Sequence, residues 1–329
     1  MKNYFKFNLT PNKIFPVWIT YMVLFLIPYI FVQYKIQGLK AQPHDPQASL
    51  EMAGELLQWY SIMVVLILVE YGILFFFARL AIEAIQFKDK SFIFNGKLRE
   101  FLKVLIPGFL LTIITIGIYS PWYLRNLINF YAKRTSFDEN KFEFKGEGSD
   151  LFLIILFTMI IPLALLFFIV MILAIIGGFR GLSTDAEPTT ITMYAALVVF
   201  IFALLVIPYI YYSNKWKVNF KIKDYSIQWE TSFWDSATKI AIEILLSLVT
   251  LGIYAPLASL KLLKYFGERT VLKSPETSKK FGYELEAKED FVFVWKQLLL
   301  TIITIGMYYP KAICNVGSRI IDKVYIEEI

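Results

Sequence analysis

A ten-residue phrase recurs three times, as Thr112-Ile-Ile-Thr-Ile-Gly-Ile-Tyr-Ser-Pro121, Ser247-Leu-Val-Thr-Leu-Gly-Ile-Tyr-Ala-Pro256 and Thr301-Ile-Ile-Thr-Ile-Gly-Met-Tyr-Tyr-Pro310. Each copy joins a short apolar run to a helix-breaking turn, so the geometry of one copy is expected in the other two. Gly117, Gly252 and Gly306 admit backbone angles that branched residues resist. Pro121, Pro256 and Pro310 disfavour helical geometry in the residue before them. Tyr119, Tyr254 and Tyr308 set an amphipathic ring at the break, where a hydroxyl can satisfy freed carbonyls or sit at an interface. An ordinary helix end at the bilayer surface would use the same residues.

The rest of the chain decides between those readings. With 57% apolar and 18% charged residues, this is the composition of a membrane protein. The basic segment 1–13 runs into an apolar stretch without a small-x-small cleavage site, which reads as an uncleaved first span. Four runs have spanning length: Ile14 to Val32, Leu57 to Ala78, Leu151 to Ile176 and Ile191 to Tyr212. The three runs that end in the repeated phrase offer about 20 Å of helix against a core of about 30 Å. If all seven runs crossed, basic residues would divide almost evenly between the two sides. If the short runs dip in and return, the outer loops keep Lys35, Lys40 and Arg180 of 33 basic residues. The positive-inside rule then favours four full transmembrane helices and three re-entrant or half-depth hairpins, with both termini cytoplasmic.

After the break, Trp122 to Arg134 and Leu257 to Arg269 read as amphipathic helices at the cytoplasmic interface. Arg125, Lys133, Arg134, Lys261, Lys264 and Arg269 are their candidate contacts to anionic lipid headgroups, and a solvated helix face accounts for them equally well. Aromatic residues at period two precede the apolar elements, in Phe5-Lys-Phe7, Phe92-Ile-Phe94, Phe142-Glu-Phe144, Tyr225-Ser-Ile227-Gln-Trp229 and Tyr283-Glu-Leu285. These read as short strands in small cytoplasmic β-hairpins, which need to pair with one another or pack on the bundle. The expected fold is therefore an all-α polytopic membrane protein with internal repeats and a small β cap. It divides into a two-helix region at 1–90, a first repeat half at 91–212 and a second at 213–329.

The Phe-x-Phe-x-Gly lead, the Thr-x-Gly-Ile-Tyr-Ser-Pro-Trp turn and the run Phe-Tyr-Ala-Lys-Arg-Thr before Lys-Phe-Glu-Phe-Lys-Gly-Glu-Gly together resemble the YjgN-like family. The resemblance covers roughly residues 91–329. It implies a bacterial inner-membrane location and supplies no reaction, substrate or catalytic residue. The chain departs from the family pattern after Trp122, where Tyr123-Leu124-Arg125 replaces a small residue and a lysine, and Leu257 replaces the Trp in the second copy.

Charge inside the apolar runs is costly unless paired or hydrated, so Glu70, Glu243 and Lys296 are the candidates for a cavity or an ion or proton site. A structural hydrogen bond to Ser, Thr or Tyr on a neighbouring helix is the plainer account of Glu70. The single histidine, His44 beside Asp45, and the single cysteine, Cys314, leave no intrachain disulfide, no metal cluster and no supported catalytic dyad. No catalytic residue, cofactor or nucleic-acid partner is expected. Membrane lipids are the expected partners, with a homo-oligomer or another membrane protein also compatible. A transporter or channel-like protein built from broken hairpins stands first. A membrane scaffold or envelope-associated interaction protein is the alternative, and an intramembrane enzyme comes third.

Overall fold

The computed structural model describes residues 1–41, 49–176 and 188–328. His44, Asp45 and Arg180 lie outside them. Five helical hairpins alternate with short strands. The first runs from β1 (Asn3–Phe7) through α1 (Pro11–Tyr21), a π-helical turn (Met22–Leu26) and α2 (Ile27–Lys40), then back along α3 (Ser49–Ala84) to β2 (Ile85–Phe87). The second follows β3 (Lys90–Ser91) and β4 (Ile93–Phe94), with α4 (Leu98–Ile114), α5 (Ser120–Arg134) and β5 (Thr135–Phe137). The third comprises β6 (Asn140–Phe144), α6 (Gly148–Ile155), a π-helical turn (Leu156–Ile160), α7 (Ile161–Ile176), α8 (Pro188–Lys217) and β7 (Phe220–Ile222). The fourth has β8 (Tyr225–Trp229), α9 (Phe233–Val249), α10 (Ala255–Gly267) and β9 (Thr270–Lys273). The fifth has β10 (Ser278–Tyr283), α11 (Ala287–Ile303), α12 (Tyr309–Ile321) and β11 (Val324–Glu328). Pro28 and Pro162 each follow a π-helical turn, where the missing N–H interrupts the α ladder.

The strands form one antiparallel sheet in the order β3-β2-β1-β11-β10-β9-β8-β7-β6-β5-β4. Its two outer strands, β3 and β4, are separated only by Phe92, so one stretch of chain closes the sheet into a ring and leaves few free edge groups. A shared hydrogen bond marks each unit where ring meets helices. The residue after the strand donates its N–H to the carbonyl at the end of the returning helix, Asn8 to Ala84 (2.9 Å) and Asn95 to Arg134 (2.9 Å), or two residues past it, Lys145 to Asn219 (2.9 Å), Glu230 to Arg269 (2.8 Å) and Glu284 to Lys323 (3.1 Å). Away from the helices the strands turn at Lys88-Asp89 and Asp138-Glu139. All four of these residues have positive φ, as tight hairpins matching the sheet twist require. The hairpins also close a ring, since α3 touches α4, α5 touches α6, α8 touches α9, α10 touches α11, and α12 touches α1.

The all-α expectation is thus corrected: an eleven-stranded, nearly closed sheet underlies the helices. Each strand is only two to six residues long and pairs across an intervening helical hairpin or a tight turn. Local alternation shows a strand but not its partner. Among the described residues three helical stretches are long and apolar enough to cross a membrane, Pro11–Lys40, Glu51–Ala84 and Gly148–Phe168. The expected fourth, Ile191 to Tyr212, lies on α8, where the side chains of residues 188–200 are outside the described set, so the count of four is not met.

The repeated phrase forms the tips of the second, fourth and fifth hairpins. Helices α4, α9 and α11 end in a Schellman-type turn: the N–H groups of Gly117, Gly252 and Gly306 reach back to the carbonyls of Thr112, Ser247 and Thr301 at 2.7, 2.7 and 2.8 Å. The residue before each glycine is also left-handed, Ile116 (φ 50°), Leu251 (φ 51°) and Ile305 (φ 50°). The prolines do not break these helices. Pro121, Pro256 and Pro310 sit in the first turn of the returning arm, where a missing N–H costs nothing. Helices α5 and α10 are likewise returning arms, packed on α4 and α9.

Candidate functional site

The aromatic pairs that precede the hairpins divide their labour by strand geometry. Side chains two residues apart share a sheet face. The first of each pair, Phe5, Phe92, Phe142, Ile227 and Phe281, lines the inside of the β ring. The second, Phe7, Phe94, Phe144, Trp229 and Tyr283, lies at the helix end. Trp229 stacks on Phe266 with centroids 4.2 Å apart, and Phe144 meets Trp216 edge-on at 5.0 Å. Phe7 fills the space over Gly317, where a Cβ would lie 2.5 Å from its ring. In the fifth unit the register is Phe281-Gly-Tyr283 rather than the expected Tyr283-Glu-Leu285.

Inside the ring is a cavity of about 510 Å³. Its wall is a nearly continuous belt of rings, Phe281–Phe5 (6.2 Å), Phe5–Phe87 (4.7 Å), Phe87–Phe137 (5.9 Å), Phe137–Phe92 (4.9 Å) and Phe92–Phe142 (5.8 Å). Ile222, Ile227, Leu272 and Ile326 complete it. Polar groups, among them Lys88, Asp138, Asn140, Lys223, Tyr225, Lys279 and Glu328, stand at the mouth away from the helices. Lys279 pairs with Glu328 (3.5 Å) and Asp138 with Lys90. Hydrogen bonding with Thr277, aided by the nearby Lys279 charge, holds the Tyr225 hydroxyl below its ordinary value. An apolar space of this size with a few polar groups at its opening has the form of a small-molecule site. The sequence carried the signal in its Phe-x-Phe repeats, which read as structural caps.

The intramembrane candidates fall elsewhere. Glu70 of α3 is half-buried and faces Tyr21 of α1. Glu243 is 1% exposed and accepts from Lys239 Nζ (2.6 Å) and Tyr254 OH (2.9 Å), while Lys261 Nζ donates to Tyr254 OH (2.7 Å). Lys296 is exposed, and among the described residues it pairs with no carboxylate. None of the three lines the β-ring cavity or the clefts along the second and fifth hairpins.

Alignment on the turn glycines shows what sequence reasoning missed. Gln297, Tyr308 and Asn315 of the fifth hairpin occupy the places of Glu243, Tyr254 and Lys261, and form a neutral version of the network: Tyr308 OH and Asn315 Nδ2 donate to Gln297 Oε1 at 3.1 and 2.9 Å. The second hairpin has Gly108, Tyr119 and Asn126 there, with the Tyr123 ring against Gly108. The tyrosine hydroxyls of the fourth and fifth hairpins thus bind side chains between the arms rather than freed carbonyls. One level nearer the ring, the same positions hold Phe101 and Phe130 (5.5 Å apart), Ser236 and Tyr265 (3.4 Å), or the ion pair Asp290–Arg319 (2.7 Å). Lys323 joins that pair and also meets Glu286 at 2.7 Å, which holds the Glu286 carboxyl below its usual range.

Most headgroup candidates are engaged within the protein. Arg125 pairs with Glu147 (3.6 Å), Arg134 with Glu100 (2.8 Å) and Lys264 with Glu268 (3.8 Å). Arg269 donates to the Tyr265 carbonyl (3.1 Å) and lies over its ring. Lys133 has no ion-pair partner among the described residues.

The family described as "Bacterial protein of unknown function (DUF898)" matches residues 2–289, which takes in the first ninety residues that the motif resemblance left out. The inner membrane protein YjgN of Salmonella typhimurium is 30% identical over 73 residues, covering 22% of this chain and 18% of that relative. The matched stretch is thus less than a fifth of the relative's length. No solved structure matches the chain. With its apolar helices, the chain is a membrane protein.

Proposed function

The chain belongs to the DUF898 family of bacterial proteins of unknown function, and on that footing we propose a transporter-like inner-membrane protein that takes the apolar part of an amphiphile into its β ring. The observation that carries this reading is the open, aromatic-walled cavity of about 510 Å³, to which all five units contribute. Hydrocarbon entering such a space gains about 0.8 kcal/mol per buried methylene. The polar mouth keeps a headgroup in water.

The membrane arrangement follows from the same architecture. The first and third hairpins carry the membrane-length stretches. The other three have outgoing arms of 17 residues and tips of bare hydrocarbon: Ile116, Leu251 and Ile305 are 94%, 93% and 86% exposed. A fully exposed aliphatic tip on a helix of about 25 Å fits half-depth insertion. The distribution of basic residues supports a β ring, and with it both termini, on the cytoplasmic side. The relative's inner-membrane name agrees.

The test uses the full chain in lipid nanodiscs with a lysophospholipid bearing a photoreactive diazirine near the end of its acyl chain. Crosslinks are expected on Phe5, Phe142 and Leu272, and Leu272→Trp, which fills the ring, should remove them. Crosslinks confined to the hairpin tips would sink the reading and leave the ring as the assembly element of a scaffold.

A further inference from the structure

The three short hairpins share one fold and differ in charge along the groove between their arms. In the fourth and fifth, the position one turn before the ring carries an acid whose carboxylate is already engaged. Glu268 pairs with Lys264 at 3.8 Å. Asp322 accepts from Ser318 Oγ at 2.6 Å and from the Phe7 N–H at 2.7 Å. In the second hairpin the same position is Lys133, and the place of Lys264 and Ser318 is taken by Asn129, whose Oδ1 is buried without a hydrogen-bond partner. Half-way up, Gly108 replaces Glu243 and Gln297, so no side chain crosses to Asn126. A cleft of about 360 Å³ opens there, lined by Lys103, Tyr119, Asn126, Asn129 and Lys133 beside that glycine.

The nearby carboxylates are already occupied: Glu100 binds Arg134 at 2.8 Å and Glu143 binds Lys145 at 2.7 Å. Among the described residues Lys103 and Lys133 have no ion-pair partner. Two ammonium groups, two amides able to turn N–H toward the cleft and a phenol form a donor-rich pocket of positive charge. Charge-assisted hydrogen bonds to anionic oxygens are the strongest bonds such a set can make. We propose that this cleft of the second hairpin binds a phosphate group, supplied by a lipid phosphodiester or by a soluble phosphate ester. The proposal stands on the cleft's own chemistry and is independent of the β-ring reading. For a hairpin inserted from the cytoplasm, the cleft lies at headgroup level.

The full chain in neutral detergent is titrated with short-chain phosphatidylglycerol and, separately, with glycerol phosphate, and bound molecules are counted by native mass spectrometry. Lys103→Gln/Lys133→Gln should weaken binding about tenfold or more. Lys264→Gln, in the groove of the fourth hairpin, should leave it unchanged. Thermal unfolding confirms that each variant is folded. Binding of the lipid alone identifies a headgroup site, and binding of both ligands identifies a general phosphate site. No binding, or equal binding by wild type and the double variant, overturns the proposal.

Discussion

Glu243 is a buried carboxylate that accepts from Lys239 and Tyr254, and Lys261 donates to the tyrosine hydroxyl in turn. Removing one member of such a group costs more than the group contributes, because the remaining charges lose their counter-ion. The lysines soften this, since Lys239 keeps 32% of its side chain in contact with the surroundings. Glu243→Gln is expected to destabilise by about 1–3 kcal/mol. Glu243→Gln combined with Lys261→Asn copies the neutral network of the fifth hairpin and should recover a substantial part of that loss. Thermal unfolding of the two variants in one detergent checks it, and a double variant less stable than the single would show that the networks are not equivalent. Glu243 was conspicuous in the sequence because a carboxylate in an apolar run is rare. Its partners were not, since Lys239 and Lys261 look like ordinary surface lysines until the arms fold together.

Among the elements, the short hairpins place a branched or bulky residue at positive φ before each glycine, a conformation that costs about 1–2 kcal/mol for an L-residue. That an exposed aliphatic side chain occupies this position three times points to a use for the side chain itself. In a Cys314→Ala background, a cysteine at Ile116 should resist membrane-impermeant maleimide from both sides, while one at Ser136 in β5 or Thr277 between β9 and β10 reacts from the cytoplasm. Labelling of position 116 from outside would mean that the second hairpin crosses the membrane.

The seam between β1 and the fifth unit makes a pH prediction. Tyr4 and Lys2 hydrogen-bond to Glu284 at 2.6 and 2.9 Å, and hold its carboxyl below the ordinary value of 4.5. Lys323 does the same for Glu286. A lowered folded-state value means that the stabilisation is present above the unfolded value and fades as pH falls through the folded one. Amide exchange in β1 and β11 should therefore rise as pH drops below about 4.5, after correction for intrinsic rates. Glu284→Gln should show less of that pH dependence.

For the whole molecule, ring closure depends on the stretch Lys90–Phe94, which pairs with β2 on one side and β5 on the other. The Phe92 N–H donates to the Ile85 carbonyl at 3.0 Å in the middle of that joint. Phe92→Pro removes the donor and should open two edges. Amide protection is expected to fall from β2 through β5 while the helices hold theirs; unchanged protection there would show that closure is not needed.

Membrane class, the three hairpin turns and the leading strands β1, β4, β6 and β8 could be read from the chain, because each is written in residues within a few positions of one another. Composition sets the solvent, Gly-x-Tyr-x-Pro sets a turn, and alternating aromatics set a strand. The ring, its cavity and the charge of each hairpin groove were decided by folding. Strands of two to six residues say nothing about partners across an intervening hairpin. A cavity exists only where separate segments converge, and whether Lys133 or Arg134 is free depends on a carboxylate elsewhere in the chain. The repeat thus marks three of five units in one closed ring, and tertiary pairing joins the other two to them.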